Sequence, residues 1–159
     1  MDLNTILISF IFFCLGTLTL SMAGMQDKTS RKPFLLIPAF ILLGASTNIM
    51  TTVLIVLMAI VSLILPDKIN KVIGKADVFL FASIFIIFIF GNIFIMTMLL
   101  LIALIATAIM LVDDVEKNKT VPLITVFTKG YLASLFVLII VGALLVLLAG
   151  IIVIVQGVI

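Results

Sequence analysis

The sequence predicts an all-α fold: a polytopic membrane helix bundle of about six transmembrane helices, in one integral-membrane domain that covers residues 1–159. Three observations predict it. Hydrophobic residues form 65% of the chain and the mean hydropathy is +1.59. Charged residues form only 10%, against roughly a quarter in soluble domains. Charges are absent from four long stretches, which are 3–26, 33–66, 78–112 and 131–159.

The lengths of these stretches give the number of spans. A helix needs roughly 20 apolar residues to cross a hydrocarbon core of about 30 Å, so the first stretch predicts one span at 3–25. The second and third stretches are too long for a single crossing, and polar residues near Asn48 and at Gly91-Asn92 divide them. The remaining predicted spans are 34–49, 51–66, 78–91, 93–112 and 131–156.

The basic residues predict the orientation of the bundle. All nine lie in three connections, which six spans place on one side of the membrane. Because cytoplasmic loops are enriched in Lys and Arg, this side is expected to be cytoplasmic, with the N-terminus and the C-terminus outside. In the third connection, 113–130, the piece between Pro122 and Gly130 is expected to lie along the interface or to re-enter the membrane edge.

The composition excludes several kinds of chemistry. The chain has no His and one Cys, Cys14, which excludes a His-based triad, a His-ligated zinc site and a Cys-x-x-Cys metal knuckle. A net charge of +2 gives no indication of nucleic-acid binding. We expect no metal and no cofactor. Any catalysis must therefore depend on the seven Asp and Glu residues.

Two of these acids flank predicted spans on the cytoplasmic side. Asp27 directly follows the first span and Asp77 directly precedes the fourth, so both are expected at the same membrane depth. One interpretation is structural, because Asp caps helices well and is common beside juxtamembrane Lys and Arg. The other is a carboxylate pair that shares one proton and hydrolyses a peptide bond by general acid–base catalysis. The sequence assigns neither role to one residue.

Three ordered segments carry a resemblance to a known family. The first is the basic run from Asp27 through Arg31 to Pro33, and the second is Gly74-Lys75-Ala76-Asp77-Val78. The third contains Val121-Pro122-Leu123 and Lys129-Gly130-Tyr131-Leu132. Together they resemble the type IV prepilin and preflagellin (prearchaellin) peptidases, membrane aspartyl proteases of the Gly-x-Gly-Asp group. The likeness covers most of the chain as ordered landmarks, and Ala76 stands where that family usually has its second Gly.

The resemblance implies an activity, site residues and substrates. Asp27 and Asp77 would be catalytic, and Gly74, Lys75, Ala76, Arg31 and Pro33 would support the motifs around them. The partners would be the lipid bilayer and pilin-like or archaellin-like precursors with class III-type signal peptides, cleaved at the cytoplasmic membrane surface. Because the chain has a single Cys and no room for an added cytoplasmic segment with paired Cys-x-x-Cys, the resemblance is nearer to the compact archaeal members, and we expect peptidase activity only.

The cytoplasmic acids Asp113, Asp114 and Glu116 allow a further hypothesis. They are expected in the last cytoplasmic loop, either as solvated residues or as a site that attracts the basic leader of a substrate.

Other functions stay open at this point. In a small transporter or channel subunit, Asp27 or Asp77 would couple to an ion, although such sites usually lie near the bilayer midplane. In an assembly subunit, the acids would only cap helices. An inactive relative of the peptidases is a further alternative.

Overall fold

The structure is a computed structural model, and it describes residues 3–30, 32–64, 74–116 and 122–158, with side chains described except at 113–116 and 154–158. Within these ranges the fold is all-α, and helices account for nearly all of the residues. The six helices are α1 (Leu3–Ser30), α2 (Leu36–Thr47), α3 (Ile49–Ile64), α4 (Lys75–Phe90), α5 (Phe94–Glu116) and α6 (Leu123–Val158).

The break between α2 and α3 lies at Asn48, as predicted. Asn48 adopts an extended backbone conformation, and its Oδ1 accepts hydrogen bonds from the backbone N–H and the hydroxyl of Thr51, at 2.7 and 2.8 Å. The side chain therefore caps the start of α3, which compensates for the interrupted helical hydrogen bonds.

The predicted break at Gly91-Asn92 is also confirmed, because α4 ends at Phe90 and α5 begins at Phe94. A Cβ at Gly91 would collide with the carbonyl oxygen of Ile87, so this close turn requires glycine. The two turns meet: the Asn48 side-chain amide donates to the Phe90 carbonyl at 2.8 Å. The α2–α3 and α4–α5 connections therefore lie at the same end of the bundle.

Two helix boundaries differ from the predictions. Helix α1 continues to Ser30, so Asp27 lies inside a helix and not after it. Helix α6 begins at Leu123, so the piece between Pro122 and Gly130 is continuous with the helix that contains the predicted span 131–156 and is not a separate segment before it. Hydropathy marks where a helix leaves the hydrocarbon, but the helix itself continues wherever its backbone hydrogen bonds are made.

The predicted loop position of the three acids near residue 115 is also wrong. Helix α5 runs to Glu116, so Asp113, Asp114 and Glu116 lie in its last turn and not in a loop. The earlier expectation followed the end of the apolar stretch at Val112.

An aromatic cluster joins the helices at the centre of the bundle. Phe40 of α2 packs edge-on against Phe79 of α4, with ring centroids 6.2 Å apart, and lies 6.4 Å from Phe127 of α6. Phe127 in turn lies 6.4 Å from Tyr131. All four side chains are buried. Such offset and edge-on ring pairs add to the stabilisation from burial itself, so this cluster fixes the starts of α4 and α6 relative to α2.

Three of the described helices are long and apolar enough to cross a membrane: α1, α5 over Phe94–Val112, and α6 over Leu123–Val153. The chain is therefore a multi-pass membrane protein by length and composition. Helices α2 and α3 are apolar but shorter, about 18 and 24 Å at 1.5 Å per residue. The second half of α6 is exposed on all sides over 139–153, as expected for a surface that faces lipid.

Candidate functional site

Both candidate carboxylates line one cavity of about 730 Å³. It lies where the end of α1, the α1–α2 connection and the starts of α4 and α6 meet, at the opposite end of the bundle from Asn48 and Phe90. Asp27 and Asp77 are 50 residues apart in the chain, and the fold brings them to the same space. Pro33, Gly74, Lys75 and Ala76, which the sequence analysis named, line it too.

Asp27 is held by the start of α6. Its side chain is only 6% exposed. Its Oδ2 accepts the backbone N–H of Thr125 at 3.1 Å and lies 3.2 Å from the Thr125 hydroxyl. Thr125 is the third residue of α6, and the first four N–H groups of a helix have no partner within it. A carboxylate from the first helix therefore caps the last one.

The close approach of α1 and α6 depends on Gly24. A Cβ at Gly24 would lie 2.7 Å from the hydroxyl oxygen and 2.8 Å from the Cβ of Thr128. Both residues are buried. A larger residue at position 24 would therefore separate the helices and withdraw Thr125 from Asp27. Neither Gly24 nor Thr125 was identified from the sequence, because only the tertiary contact distinguishes them from other small residues of the spans.

Asp77 is the third residue of α4 and is half-buried. Its backbone N–H donates to the Gly74 carbonyl at 3.0 Å. Burial raises the pKa of the Asp77 carboxyl above its ordinary value of 3.8, and the neighbouring Asp27 raises it further, whereas a backbone hydrogen bond from Gly74 opposes the shift. The Asp27 charge therefore disfavours ionisation of the Asp77 carboxyl and acts in the same direction as burial.

Position 74 has no space for a side chain, whereas position 76 accommodates one. The backbone of Gly74 is extended, with φ −59° and ψ 138°, which any residue adopts. However, a Cβ there would lie 2.9 Å from Asp77 Oδ2, so glycine leaves room for the carboxylate. Ala76 lies inside α4 and packs against the core. Its helical conformation accommodates a Cβ, and the alanine is therefore compatible with this turn.

The α1–α2 connection forms another wall of the cavity. Pro33 lines it but does not open α2, which begins three residues later at Leu36. The Gln26 side chain accepts the backbone N–H of Leu35 at 3.1 Å, which ties the connection back to α1. Two cationic residues, Lys32 and Lys75, also line the cavity. The Lys75 ammonium donates to the Leu63 carbonyl at 3.3 Å.

The remaining predicted residues are not tested. Arg31 and the side chains of Asp113, Asp114 and Glu116 lie outside the described part of the chain. Their contributions to the motif and to leader binding stay predictions.

No protein-family model, curated protein sequence or solved structure matches the chain.

Proposed function

We propose that the chain is a membrane-embedded aspartyl endopeptidase. It removes the short basic leader from pilin-like or archaellin-like precursors at the cytoplasmic membrane surface. The observation that supports this most is the meeting of Asp27 and Asp77 in one cavity at the membrane-flanking ends of helices. The resemblance of the three ordered segments supplies the substrate class.

The proposed reaction uses the two carboxylates as a unit. The ionised one takes a proton from water as the water oxygen attacks the scissile carbonyl carbon. The protonated one donates a hydrogen bond to the developing oxyanion and then gives its proton to the leaving amine as the C–N bond breaks. After one turnover the proton has moved from one carboxylate to the other, and exchange with solvent restores the starting state. The raised pKa of Asp77 supports a pair that shares one proton.

The proposed orientation follows the basic connections. Six crossings would place them, and the cavity that Lys32 and Lys75 line, on the cytoplasmic face, with both termini outside. A precursor whose apolar helix lies in the bilayer would then present its leader at the level of the two carboxylates. Asp113, Asp114 and Glu116 would attract that leader, so reversing their charge is expected to slow processing mainly at low salt.

The experiment is processing of a pilin-like precursor in membranes that contain wild type, Asp27→Asn or Asp77→Asn at equal levels. Asn keeps the shape of the side chain but removes the titrating group. Each variant is expected to lose processing by at least about 100-fold, the usual contribution of general acid–base catalysis. Asp2→Asn is a matched control and is expected to keep wild-type activity.

Two outcomes would contradict the proposal. Full activity in either cavity variant would show that the carboxylates do not act as a pair. An intact precursor in all membranes, with several basic-leader precursors supplied, would favour a transporter or an assembly subunit.

A further inference from the structure

The Thr125 hydroxyl lies within hydrogen-bonding distance of two acceptors. It is 3.2 Å from Asp27 Oδ2 and 2.9 Å from the Gly24 carbonyl oxygen. The side chain is only 7% exposed, so water does not readily replace either partner. A hydroxyl has one hydrogen and can donate it to one acceptor at a time, but it also accepts.

This arrangement satisfies Asp27 in two protonation states. When the carboxylate is ionised, the hydroxyl and the backbone N–H of Thr125 both donate to Oδ2. When the carboxyl carries a proton, the hydroxyl rotates to donate to the Gly24 carbonyl and accepts from the carboxyl group. The Gly24 carbonyl lies within α1, so it does not require the Thr125 hydroxyl as a donor when Asp27 is ionised. A group that must take up and release a proton in each turnover is therefore never left buried without a partner.

The ionised state has additional support from α6. The N-terminus of a helix carries a partial positive charge, and Asp27 lies at that of α6. Among the described residues, the charged groups that line the cavity with Asp27 are Asp77 and Lys75 from α4 and Lys32 from the α1–α2 connection. The start of α6 contributes no charged side chain to that lining. Among the residues that the structure describes, no backbone N–H and hydroxyl pair from another helix donates to the Asp77 carboxylate as Thr125 does to Asp27.

We propose that Thr125 is a positioning residue that donates two hydrogen bonds to the Asp27 carboxylate and orients it at the start of α6, which makes Asp27 the general base and leaves Asp77 as the acid. This assignment rests on the proposed function for its catalytic part. The hydrogen bonds that it invokes exist independently of any substrate.

The test compares three purified variants with wild type. Thr125→Val removes the hydroxyl at similar volume, and Thr125→Ser retains it. Thr128→Val is the matched control, because Thr128 is equally buried at the same interface but donates to the Ile124 and Leu20 carbonyls instead. Thermal unfolding of each variant confirms that it folds.

The first measurement is the infrared carboxylate band of Asp27, identified by its loss in Asp27→Asn. This band reports hydrogen bonding to the carboxylate and needs no substrate. We expect it to shift in Thr125→Val and to stay in place in Thr125→Ser and Thr128→Val. An unshifted band in Thr125→Val would overturn the positioning role.

The second measurement is the pH dependence of precursor processing. Loss of one donor to the base is expected to move the acidic limb of the profile to higher pH by about one unit in Thr125→Val, with little change in the other two variants. An equal movement in Thr128→Val would make the effect merely structural and overturn the proposal. If wild type cleaves no precursor, the proposed function fails and the assignment of base and acid fails with it, whereas the infrared band still decides whether Thr125 holds Asp27.

Discussion

The α1–α6 contact around Asp27 and the start of α4 around Asp77 hold their carboxylates in different ways. Asp27 is buried and accepts hydrogen bonds from a residue 98 positions later in the chain. Asp77 is half-buried, and its carboxylate has a backbone hydrogen bond from Gly74, at the start of its own helix. The first carboxylate is thus part of the packing between helices, and the second is a local feature of one helix end. Substitutions around Asp27 should therefore change the free energy of unfolding most, whereas substitutions around Asp77 should mainly change the rate of precursor processing.

The largest effect is expected for Gly24→Ala. The added methyl group would lie within 3.0 Å of three Thr128 atoms, and overpacking of this kind costs roughly 1–3 kcal/mol. The double variant Gly24→Ala with Thr128→Ala should recover most of the loss. Gly142→Ala, which meets nothing within 4 Å, should instead gain up to about 1 kcal/mol in helix propensity. The measurement is denaturant unfolding in detergent micelles. A stabilising Gly24→Ala would show that the helices are not in close contact there.

A smaller effect is expected in the comparison of Asp27→Ala with Asp77→Ala, because Asp27→Ala should lower the free energy of unfolding more than Asp77→Ala does. Removing the Asp27 carboxylate leaves the Thr125 N–H buried without its acceptor, which costs about 1–3 kcal/mol. Removing Asp77 deletes a half-buried helix-end interaction worth about 1 kcal/mol and also relieves its repulsion with Asp27. The same unfolding assay compares them, and equal losses would contradict the difference between the two regions.

Gly74→Ala should change stability little but activity strongly. The methyl group would press on the Asp77 carboxylate, 2.9 Å away, and a carboxylate rotates aside at small cost. Displacement of a reacting group of this order reduces turnover by about 10- to 100-fold. Ala76→Gly is the matched control: it should cost roughly 0.5–1 kcal/mol as a helix-interior glycine and leave precursor processing unchanged. Normal processing by Gly74→Ala would show that the space beside the Asp77 carboxylate at position 74 is not needed for activity.

The smallest effect is the pH dependence of stability that Asp77 contributes. Because its pKa is raised in the folded protein, the folded state binds the proton more tightly than the unfolded state. Stability from this group is therefore complete below pH 3.8 and is lost as the pH rises through the folded pKa. The gain in melting temperature of Asp77→Asn over wild type should grow across that window and then level off. A gain that is constant with pH would contradict the shift.

Local chemistry allowed part of this structure to be predicted. The breaks at Asn48 and Gly91 are visible because an amide side chain caps a helix and because glycine permits a close turn. Gly74 and Asp77 are only three positions apart in the sequence, so their motif indicated a site. The predicted limits at 25 and 131 differ from the observed end of α1 at Ser30 and start of α6 at Leu123. Hydropathy indicates where a helix lies in the hydrocarbon, but the backbone hydrogen bonds of a helix continue beyond it.

Thr125 and Gly24 show the limit of such prediction. Their importance comes from contacts across about 100 residues of chain, between the first and the last described helices. A threonine near a helix start and a glycine in an apolar span are common, and nothing in the local sequence marks them. Only the packing of α1 against α6 gives them a function.

The cap that links Asp27 to α6 also has a consequence for biogenesis. Ribosomes produce α1 first and α6 after the other described helices, so Asp27 has no Thr125 to bind until translation has passed the start of α6. The contact between Asp27 and Thr125 consequently forms only once α6 has been made, and a nascent chain that still lacks α6 contains both acids without this cap.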